Sequence, residues 1–290
     1  MTTDLPGTVV STPTLTVGDI ACRVISDGQA AYEPSFLFAN VDSETLGPTL
    51  DGRLDDQGNL STPYHCLLLQ TPTATVLIDT GLGRLAAVAG APAGHLLNSL
   101  ASAGFSADDI DVVVLSHAHP DHIGGLSQDG ELTFPRARHI MSRTEWDFWT
   151  DEDTLARLPE MLAAPARALL PPLLEADVLD LAEGETEILR GVELIPAPGH
   201  TPGHCVVRIG SGSSGVTFLA DAVLDELQFR HPGWVSAVDF SAEETVRTRK
   251  RLLCNAATDG SLVLAYHMST TGTVEQSSGS FRLLPRESRQ

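Results

Sequence analysis

The sequence predicts an α/β or mixed fold in which both faces of each sheet are covered. Apolar runs typical of strands recur along the chain, helical patterns fall between them, and neither a linker nor a short-period repeat interrupts the alternation. With 290 residues, 42% of them hydrophobic, the chain also has enough apolar material for a core. We therefore expect a single domain over residues 1–290, with the Thr-rich residues 1–12 as a loose lead-in.

Strand patterns follow one another along the chain. Residues 15–26 alternate between apolar and polar side chains around Gly18-Asp19, which predicts a hairpin. Residues 33–62 have no clear period, as is frequent in functional loops, and are a candidate lid. Further strands are expected at 64–70, 75–78, 111–115, 134–141, 192–196, 205–209, 216–220, 262–265 and 281–284.

Helical patterns occupy the spaces between these strands. Residues 92–104 carry leucines on one face, and Ser142-Arg-Thr-Glu145 and Ser241-Ala-Glu-Glu244 are capping-box patterns, each of which opens a helix. Residues 153–174 are rich in Leu, Ala and Pro, which predicts a broken helix and a second candidate lid.

The charge of the chain excludes several classes of partner. Against 38 Asp and Glu there are only 18 Lys and Arg, a formal net charge of −20, which would repel the phosphates of nucleic acids and an anionic membrane. The start of the chain lacks a signal-peptide pattern, no apolar run is long enough to span a membrane, and the four cysteines form no C-x-x-C pair. We expect a cytoplasmic protein that acts on a small molecule, as a monomer or homodimer.

The most informative segment comes directly after the predicted strand 111–115. His117, His119, Asp121 and His122 fall within six residues, although the whole chain has only ten histidines. Imidazole and carboxylate groups are ligands of zinc and related ions. Since His117 and His119 are two residues apart, they point the same way in an extended loop, and the next turn can serve a neighbouring ion. A metal-free histidine-rich surface turn is the weaker interpretation.

Four more candidate ligands follow other predicted strands. Asp79, His200, Asp221 and His267 come after the strands 75–78, 192–196, 216–220 and 262–265. Ligands gather at the carboxyl ends of strands in α/β folds, so these side chains are expected at one edge. His204 follows His200 by four residues and is expected to pack rather than to bind an ion.

This set of residues resembles the metallo-β-lactamase superfamily. The H-x-H-x-D-H signature stands here as His117-Ala-His119-Pro-Asp121-His122. The resemblance implies a four-layer αββα sandwich with its metals at one sheet edge. It also implies two divalent ions, most simply Zn²⁺, with Mn²⁺, Fe²⁺ and Co²⁺ as alternatives.

The resemblance further assigns a role to each position. His117, His119 and His200 would hold the first ion, while Asp121, His122 and His267 would hold the second. Asp221 would bridge the two ions, and Asp79 would orient a ligand histidine. A hydroxide between the ions would attack a carbonyl, and Asp121 or a bound water would carry a proton to the leaving group. Asp121 and Asp221 are thus the catalytic candidates.

The segment after Asp221 is similar to the branch of N-acyl-homoserine lactonases and methyl-parathion-type hydrolases. This likeness implies hydrolysis of a lactone or carboxylic ester. The alternatives are a thioesterase, including the polyketide thioesterase/cyclase type, a phosphotriesterase, a β-lactamase or a non-catalytic metal-binding protein. Leu224 stands where such lactonases often carry a tyrosine. Candidate residues of the substrate pocket are Leu224, Phe229, Trp234 and Met268.

Overall fold

Two seven-stranded sheets and their flanking helices make up the structure, a computed structural model that describes residues 14–286. The expected lead-in, residues 1–12, lies outside this range. The strands of residues 14–286 are β1 (Leu15–Val17), β2 (Ile20–Tyr32), β3 (Leu60–Gln70), β4 (Thr75–Ile78), β5 (Val112–Leu115), β6 (Ser127–Gln128), β7 (Glu131–Leu132), β8 (Arg138–Ser142), β9 (Leu179–Ala182), β10 (Thr186–Leu189), β11 (Val192–Pro196), β12 (Cys205–Ile209), β13 (Val216–Phe218), β14 (Leu262–Leu264), β15 (Gly272–Ser277) and β16 (Ser280–Pro285).

The helices lie in the connections between these strands. Those of residues 14–286 are α1 (Pro34–Leu37), α2 (Ser43–Leu46), α3 (Leu85–Ala89), α4 (Leu96–Ser102), α5 (Pro120–Ile123), α6 (Arg143–Thr150), α7 (Glu152–Leu155), α8 (Glu160–Leu169), α9 (Pro171–Glu175), α10 (Leu227–Arg230) and α11 (Ala242–Asp259). Short 3₁₀ turns lie at Gly47–Thr49, Ala107–Asp109, Gly212–Ser214 and Ala220–Ala222.

Both sheets are mixed. The first has the order β1-β2-β3-β4-β5-β8-β9, antiparallel from β1 to β4 and parallel from β4 to β9. The second has the order β10-β11-β12-β13-β14-β15-β16 and is antiparallel except for the parallel pair β13–β14. Because parallel neighbours end at the same side of a sheet, the loops after β4 and β5 lie together, and so do those after β13 and β14.

The main core lies between the two sheets. Leu67 and Val113 of the first sheet belong to one apolar cluster with Val207 and Phe218 of the second. A separate cluster fills the space between the outer face of the second sheet and α11, around Leu253. Helices therefore cover the sheet pair from outside, as expected of an αββα sandwich.

Most predicted elements are present with shifted ends. The hairpin is formed by β1 and β2, which pair Val17 with Ile20. The strand predicted at 216–220 ends at Phe218, because Ala220–Ala222 turns into a 3₁₀ helix. Residues 153–174 form α7 to α9, whose buried leucines and alanines belong to the main core, so this segment is packed rather than lid-like.

A buried carboxylate holds the loop that follows β4. The side chain of Asp27 is fully buried and accepts hydrogen bonds from the backbone N–H groups of Leu82 (2.8 Å), Gly94 (3.1 Å) and Leu96 (2.9 Å). Burial raises the pKa of Asp27, and these three donors act against that rise. The same loop also supports the H-x-H-x-D-H motif that follows β5 (residues 117–122, called the β5 motif below). The N–H of Thr80 donates to the carbonyl of His122 (2.8 Å).

Gly81 is required for this arrangement. Its φ is +75°, and a Cβ at this position would lie 2.4 Å from Cγ of Asp27. Gly52 has nearly the same φ, +74°, but a Cβ added there would meet no atom within 4 Å. An alanine at Gly52 therefore has the unfavourable backbone conformation without the steric clash.

We predict that Gly81→Ala is much more destabilising than Gly52→Ala. In both variants, an alanine in the left-handed conformation should lower the unfolding free energy by about 1–2 kcal/mol. Gly81→Ala should lower it by a further ~1–3 kcal/mol through the contact with Asp27. Chemical denaturation of the two variants and the wild type measures the difference. Equal losses would show that the carboxylate of Asp27 does not constrain this loop.

Candidate metal centre

The β5 motif places its side chains by a short extended loop and one helical turn. His117 and His119 lie in the loop after β5, and Pro120 opens α5, which carries Asp121 and His122. The fixed φ of proline suits the first position of a helix. The turn is closed by the hydrogen bond from the N–H of Gly124 to the carbonyl of Pro120 (2.8 Å).

A first group of four side chains is formed by His117, His119, His200 and Asp221. One ligand atom from each lies within 4.8 Å of all the others, and all four residues are buried. Nδ1 of His119 is 2.9 Å from Nε2 of His200. The structure thus brings the loops after β5, β11 and β13 to one point.

A second group is formed by Asp121, His122 and His267, again with ligand atoms within 4.8 Å of one another. Oδ2 of Asp121 lies 3.7 Å from Nε2 of His122 and 3.4 Å from Nε2 of His267. The side chain of Asp121 is 15% exposed and that of Asp221 only 4%, so Asp121 is the more open carboxylate of the centre.

Asp221 lies between the two groups. Its Oδ2 is 3.2 Å from Nε2 of His200 and 3.7 Å from Nε2 of His117. On the other side, Oδ1 is 3.2 Å from Nε2 of His122, and Oδ2 is 3.2 Å from Nε2 of His267. One carboxylate therefore reaches imidazoles of both groups.

The chemistry of these atoms fits divalent cations. Nε2 of His117, Nε2 of His122 and Oδ1 of Asp221 are buried and make no hydrogen bond. Buried polar atoms without partners are costly and rare, whereas imidazole nitrogen and carboxylate oxygen are ligands of zinc and its neighbours. The residues present therefore fit two such ions, one at each group.

Burial favours the neutral, metal-binding form of two of the histidines. It lowers the pKa of His117 and of His119 well below the usual value, and neighbouring imidazoles lower both further. For Asp221, burial alone would raise the pKa, but His267, His122 and His117 hold it well below the usual range. Against the effect of burial, the same carboxylate raises the pKa of His122 and, together with Asp239, raises that of His200 to about 9. A cation bound at these rings would therefore displace their protons, because imidazole binds a metal in its neutral form.

Hydrogen bonds on the far ring nitrogens point the Nε2 atoms inward. Nδ1 of His122 donates to Oδ2 of Asp79 (2.8 Å), so the expected contact of Asp79 with a motif histidine is present. Asp79 also accepts from the N–H and the hydroxyl of Ser116, both at 2.8 Å. Such partners fix the tautomer and the orientation of the ring.

The histidines of the loops after β11 and β14 are oriented in the same way, by a hydrogen bond from Nδ1 to an outer acceptor. Nδ1 of His200 donates to Oδ1 of Asp239 (2.8 Å), and Nδ1 of His267 donates to the carbonyl of Pro63 on β3 (3.1 Å). Asp239 was not among the predicted site residues, because nothing in the sequence around it differs from an ordinary helix lead-in.

His204 positions Asp221 without joining either group, in line with the expectation that it packs. Its Nε2 accepts the backbone N–H of Asp221 (3.1 Å), while Nδ1 donates to the carbonyl of Ala197 (3.0 Å). Burial lowers the pKa of His204 to about 3, so the ring is neutral. The preceding Ala220 has a φ of +43°, a strained conformation held directly beside the centre.

Glu145 is the main residue that sequence reasoning missed. Its fully buried carboxylate accepts from the N–H of Ala118 (3.0 Å) and from Nε1 of Trp149 (2.7 Å) through Oε1. Through Oε2 it accepts from the hydroxyl of Thr201 and the N–H of Gly203, at 2.8 and 2.9 Å. Glu145 thereby ties the loop of His117 and His119 to that of His200.

The capping-box interpretation of Glu145 was therefore wrong. Ser142 does occupy the N-cap position of α6, but its side chain makes no capping hydrogen bond. Burial raises the pKa of Glu145, and the four donors oppose the rise. The carboxylate is drawn inward because it satisfies donors of two loops at once. At the second pattern, Ser241 does cap α11, accepting from the N–H of Glu244.

The predicted pocket residues divide into two pairs. Leu224 and Trp234 belong to an apolar cluster that segment 33–62 forms with the residues following Asp221, and Trp234 lies edge-on to Phe38 at 5.5 Å. Phe229 and Met268 instead pack in the core beneath α11, 1% and 7% exposed. A pocket role for these two residues stays a prediction, because an apolar residue near a site has the same sequence signature in a core as in a pocket.

Segment 33–62 is docked on this cluster. The N–H of Ala39 donates to the carbonyl of Val235 (2.7 Å), and the N–H of Ala237 donates to that of Phe36 (2.9 Å). Arg53 forms an ion pair with Asp225, four residues after Asp221. The segment therefore forms one wall beside the centre.

Comparisons with known proteins identify the family of the chain. Residues 62–267 match the metallo-beta-lactamase superfamily. The N-acyl homoserine lactonase AiiA of Bacillus thuringiensis subsp. kurstaki is 30% identical over 210 residues, which span 67% of this chain and 76% of AiiA.

Solved structures with the same fold cover nearly the whole chain. AidC, a dizinc quorum-quenching lactonase in complex with a product, superposes with a TM-score of 0.83 at 28% identity, over 97% of this chain and 99% of AidC. The hydrolase AbOPH of the beta-lactamase superfamily gives a TM-score of 0.88 at 24% identity, over 98% and 100% of the two chains. Within residues 14–286, no helix is long and apolar enough to cross a membrane.

We predict that Glu145→Gln weakens zinc binding without unfolding the chain. An amide can accept at one position only, so a buried N–H loses its partner, and the unfolding free energy of the metal-free protein should fall by about 1–3 kcal/mol. Because the two histidine loops are then less firmly held, zinc affinity should fall about 10-fold or more.

Competition with a chromophoric chelator measures this zinc affinity. Asp147→Asn, the same change at an exposed position of α6, is the matched control and should retain wild-type affinity. Unchanged affinity in Glu145→Gln would contradict the positioning role of this carboxylate.

Proposed function

The chain belongs to the metallo-beta-lactamase superfamily, and from this premise we propose that it hydrolyses a small lactone or related carboxylic ester with two divalent metal ions. The observation that carries the proposal is the position of Asp221, a buried carboxylate within 3.2–3.7 Å of imidazoles from two separate ligand groups. A carboxylate shared by two ligand groups is what a dinuclear hydrolytic centre requires.

The proposed ligands follow the two groups. His117, His119 and His200 would hold one ion. Asp121, His122 and His267 would hold the other, and Asp221 would reach both. Zinc is the proposed metal, because the donors are imidazole and carboxylate and because the similar structure of AidC is a dizinc lactonase.

The ions would supply two kinds of chemistry when bound: a water acidified to a pKa near ~7 as nucleophile, and a Lewis acid for the substrate carbonyl. The protein's own residues would do the rest. Asp79, Asp239 and the carbonyl of Pro63 would accept the Nδ1 protons of their ring partners and so direct the Nε2 atoms of these rings toward the ions. Asp121, the more open carboxylate, is placed to take up the proton that the attacking water releases.

The proposed substrate class rests on the surroundings of the centre. Segment 33–62, together with Leu224 and Trp234, offers an apolar wall, which suits an acyl chain rather than a polyanion. The net charge of −20 also disfavours a polyanionic substrate, because it would repel one. The similar proteins AiiA and AidC are both lactonases by name, and AidC binds N-hexanoyl-L-homoserine as product.

Two further expectations belong to the proposal. All four cysteines are free thiols, in agreement with a reducing compartment, and we propose that the protein acts in the cytoplasm. Its working form would be a monomer or homodimer.

We predict that His119→Ala abolishes most of the hydrolysis because it opens the first group. Zinc content should fall from two ions per chain to about one, and kcat/KM for N-hexanoyl-homoserine lactone should fall at least about 100-fold. His95→Ala, at an exposed position before α4, is the control and should keep both values. A variant with one group open and full activity would exclude a dinuclear mechanism.

A panel of five substrates tests the proposed bond type. We expect the highest kcat/KM with N-hexanoyl-homoserine lactone, followed by a 4-nitrophenyl ester, over a thioester, paraoxon and nitrocefin. Zinc removal by a chelator should abolish turnover, and added zinc should restore it. Turnover confined to paraoxon, to the thioester or to nitrocefin would replace the lactonase proposal with the corresponding alternative.

A further inference from the structure

Two tyrosine hydroxyls meet at the edge of the metal centre. Tyr32 ends β2, Tyr64 lies on the neighbouring β3, and their hydroxyl groups are hydrogen-bonded to each other. The ring of Tyr64 is 1% exposed and stands edge-on to the imidazole of His267, with ring centroids 5.4 Å apart. The pair is therefore in contact with the second ligand group.

The pair is fixed to both the centre and its apolar wall. Tyr32 stacks on Phe36 of segment 33–62, with ring centroids 5.0 Å apart and planes 9° from parallel. Next to Tyr64, the carbonyl of Pro63 accepts the Nδ1 proton of His267 (3.1 Å). The hydroxyls thus lie where the wall and the ligand groups meet.

Both groups are phenols, which carry a proton at neutral pH because their ordinary pKa is about 10.

One of these protons is free to donate to a substrate. Each phenol has a single proton, and only one of the two is used in the hydrogen bond between them. The third tyrosine of the chain, Tyr266, is already committed, because its hydroxyl donates to the backbone carbonyl of Asp121. Leu224, which belongs to the same apolar cluster as Tyr32, has no proton to give.

Cleavage of a lactone needs a proton donor of this kind. The leaving group is an alkoxide, whose conjugate acid is about as weak as water, pKa ~15.7. A donor at the edge, beside the second ligand group, meets this need.

We propose that the Tyr32–Tyr64 hydroxyl pair protonates the leaving oxygen of the substrate, an inference that rests on the proposed lactone hydrolysis. As the C–O bond of the ring breaks, its electron pair passes to the alkoxide oxygen, which takes the free hydroxyl proton of the pair. The phenolate regains a proton from solvent, to which Asp121 passes the one that it takes up from the attacking water. Water and lactone thereby become a carboxylic acid and an alcohol.

A purely structural role of the pair makes a different prediction. If the hydrogen bond only joins β2 to β3 and to segment 33–62, its loss should slow all substrates alike. A proton donor, by contrast, matters according to the leaving group. N-hexanoyl-homoserine lactone and N-hexanoyl-homocysteine thiolactone share their acyl chain and ring size, but a thiol with a pKa near ~8.5 leaves as the thiolate without protonation.

The test compares these two substrates in zinc-loaded Tyr64→Phe and Tyr32→Phe. We expect kcat/KM for the lactone to fall about 100-fold in at least one variant, and that for the thiolactone to change less than about 5-fold. Zinc content and melting temperature of each variant are measured alongside. Phe36→Leu, which removes the stacked ring and keeps both hydroxyls, should show no selective loss.

The outcomes separate the two proposals. Equal loss on both substrates, or no loss in either variant, would overturn the proton-donor role and leave the proposed function standing. Absence of zinc-dependent lactone turnover in the wild type would overturn the proposed function and the donor role with it.

Discussion

The structure depends on one buried carboxylate that must be neutralised. Asp221 is 2% exposed, and its two oxygens lie 3.2–3.7 Å from the Nε2 atoms of four imidazoles. In the absence of a cation, protonated imidazoles balance this charge: against the effect of burial, Asp221 raises the pKa of His122 well above its usual value and, together with Asp239, raises that of His200 to about 9. Divalent cations would balance the charge with the rings neutral and would make this centre the most strongly held part of the molecule.

Several elements of the fold hold Asp221 and the ligand histidines in position. His122, His200 and His267 each donate Nδ1–H to an outer acceptor, while His204 receives the N–H of Asp221. Glu145 links two of the histidine loops, and Asp27 supports the loop beneath the motif. The buried carboxylates thus organise loops as well as ligands, which accounts for part of the acidity of the chain. Most of the remaining acidic residues are on the surface.

The sequence was sufficient for what depends on neighbouring residues. Six residues contain His117, His119, Asp121 and His122, and strand patterns locate the other candidate ligands at one edge. Contacts between segments that are distant in the sequence could not be predicted from it. Glu145 bonds to Ala118 and Gly203 across 27 and 58 residues, and Ser-x-x-Glu has the same pattern whether its glutamate caps a helix or is buried. The packing of Phe229 and Met268 beneath α11 is likewise a contact between distant segments.

The measurement that tests this account most directly is anomalous X-ray diffraction at the zinc edge from crystals of the zinc-loaded protein. The account predicts two peaks about 3.5–4 Å apart. The carboxylate of Asp221 should lie between them, with Nε2 of His200 next to one peak and Nε2 of His267 next to the other. A single peak, or two peaks of which neither contacts Asp221, would contradict the claim that this carboxylate is shared by two metal ions.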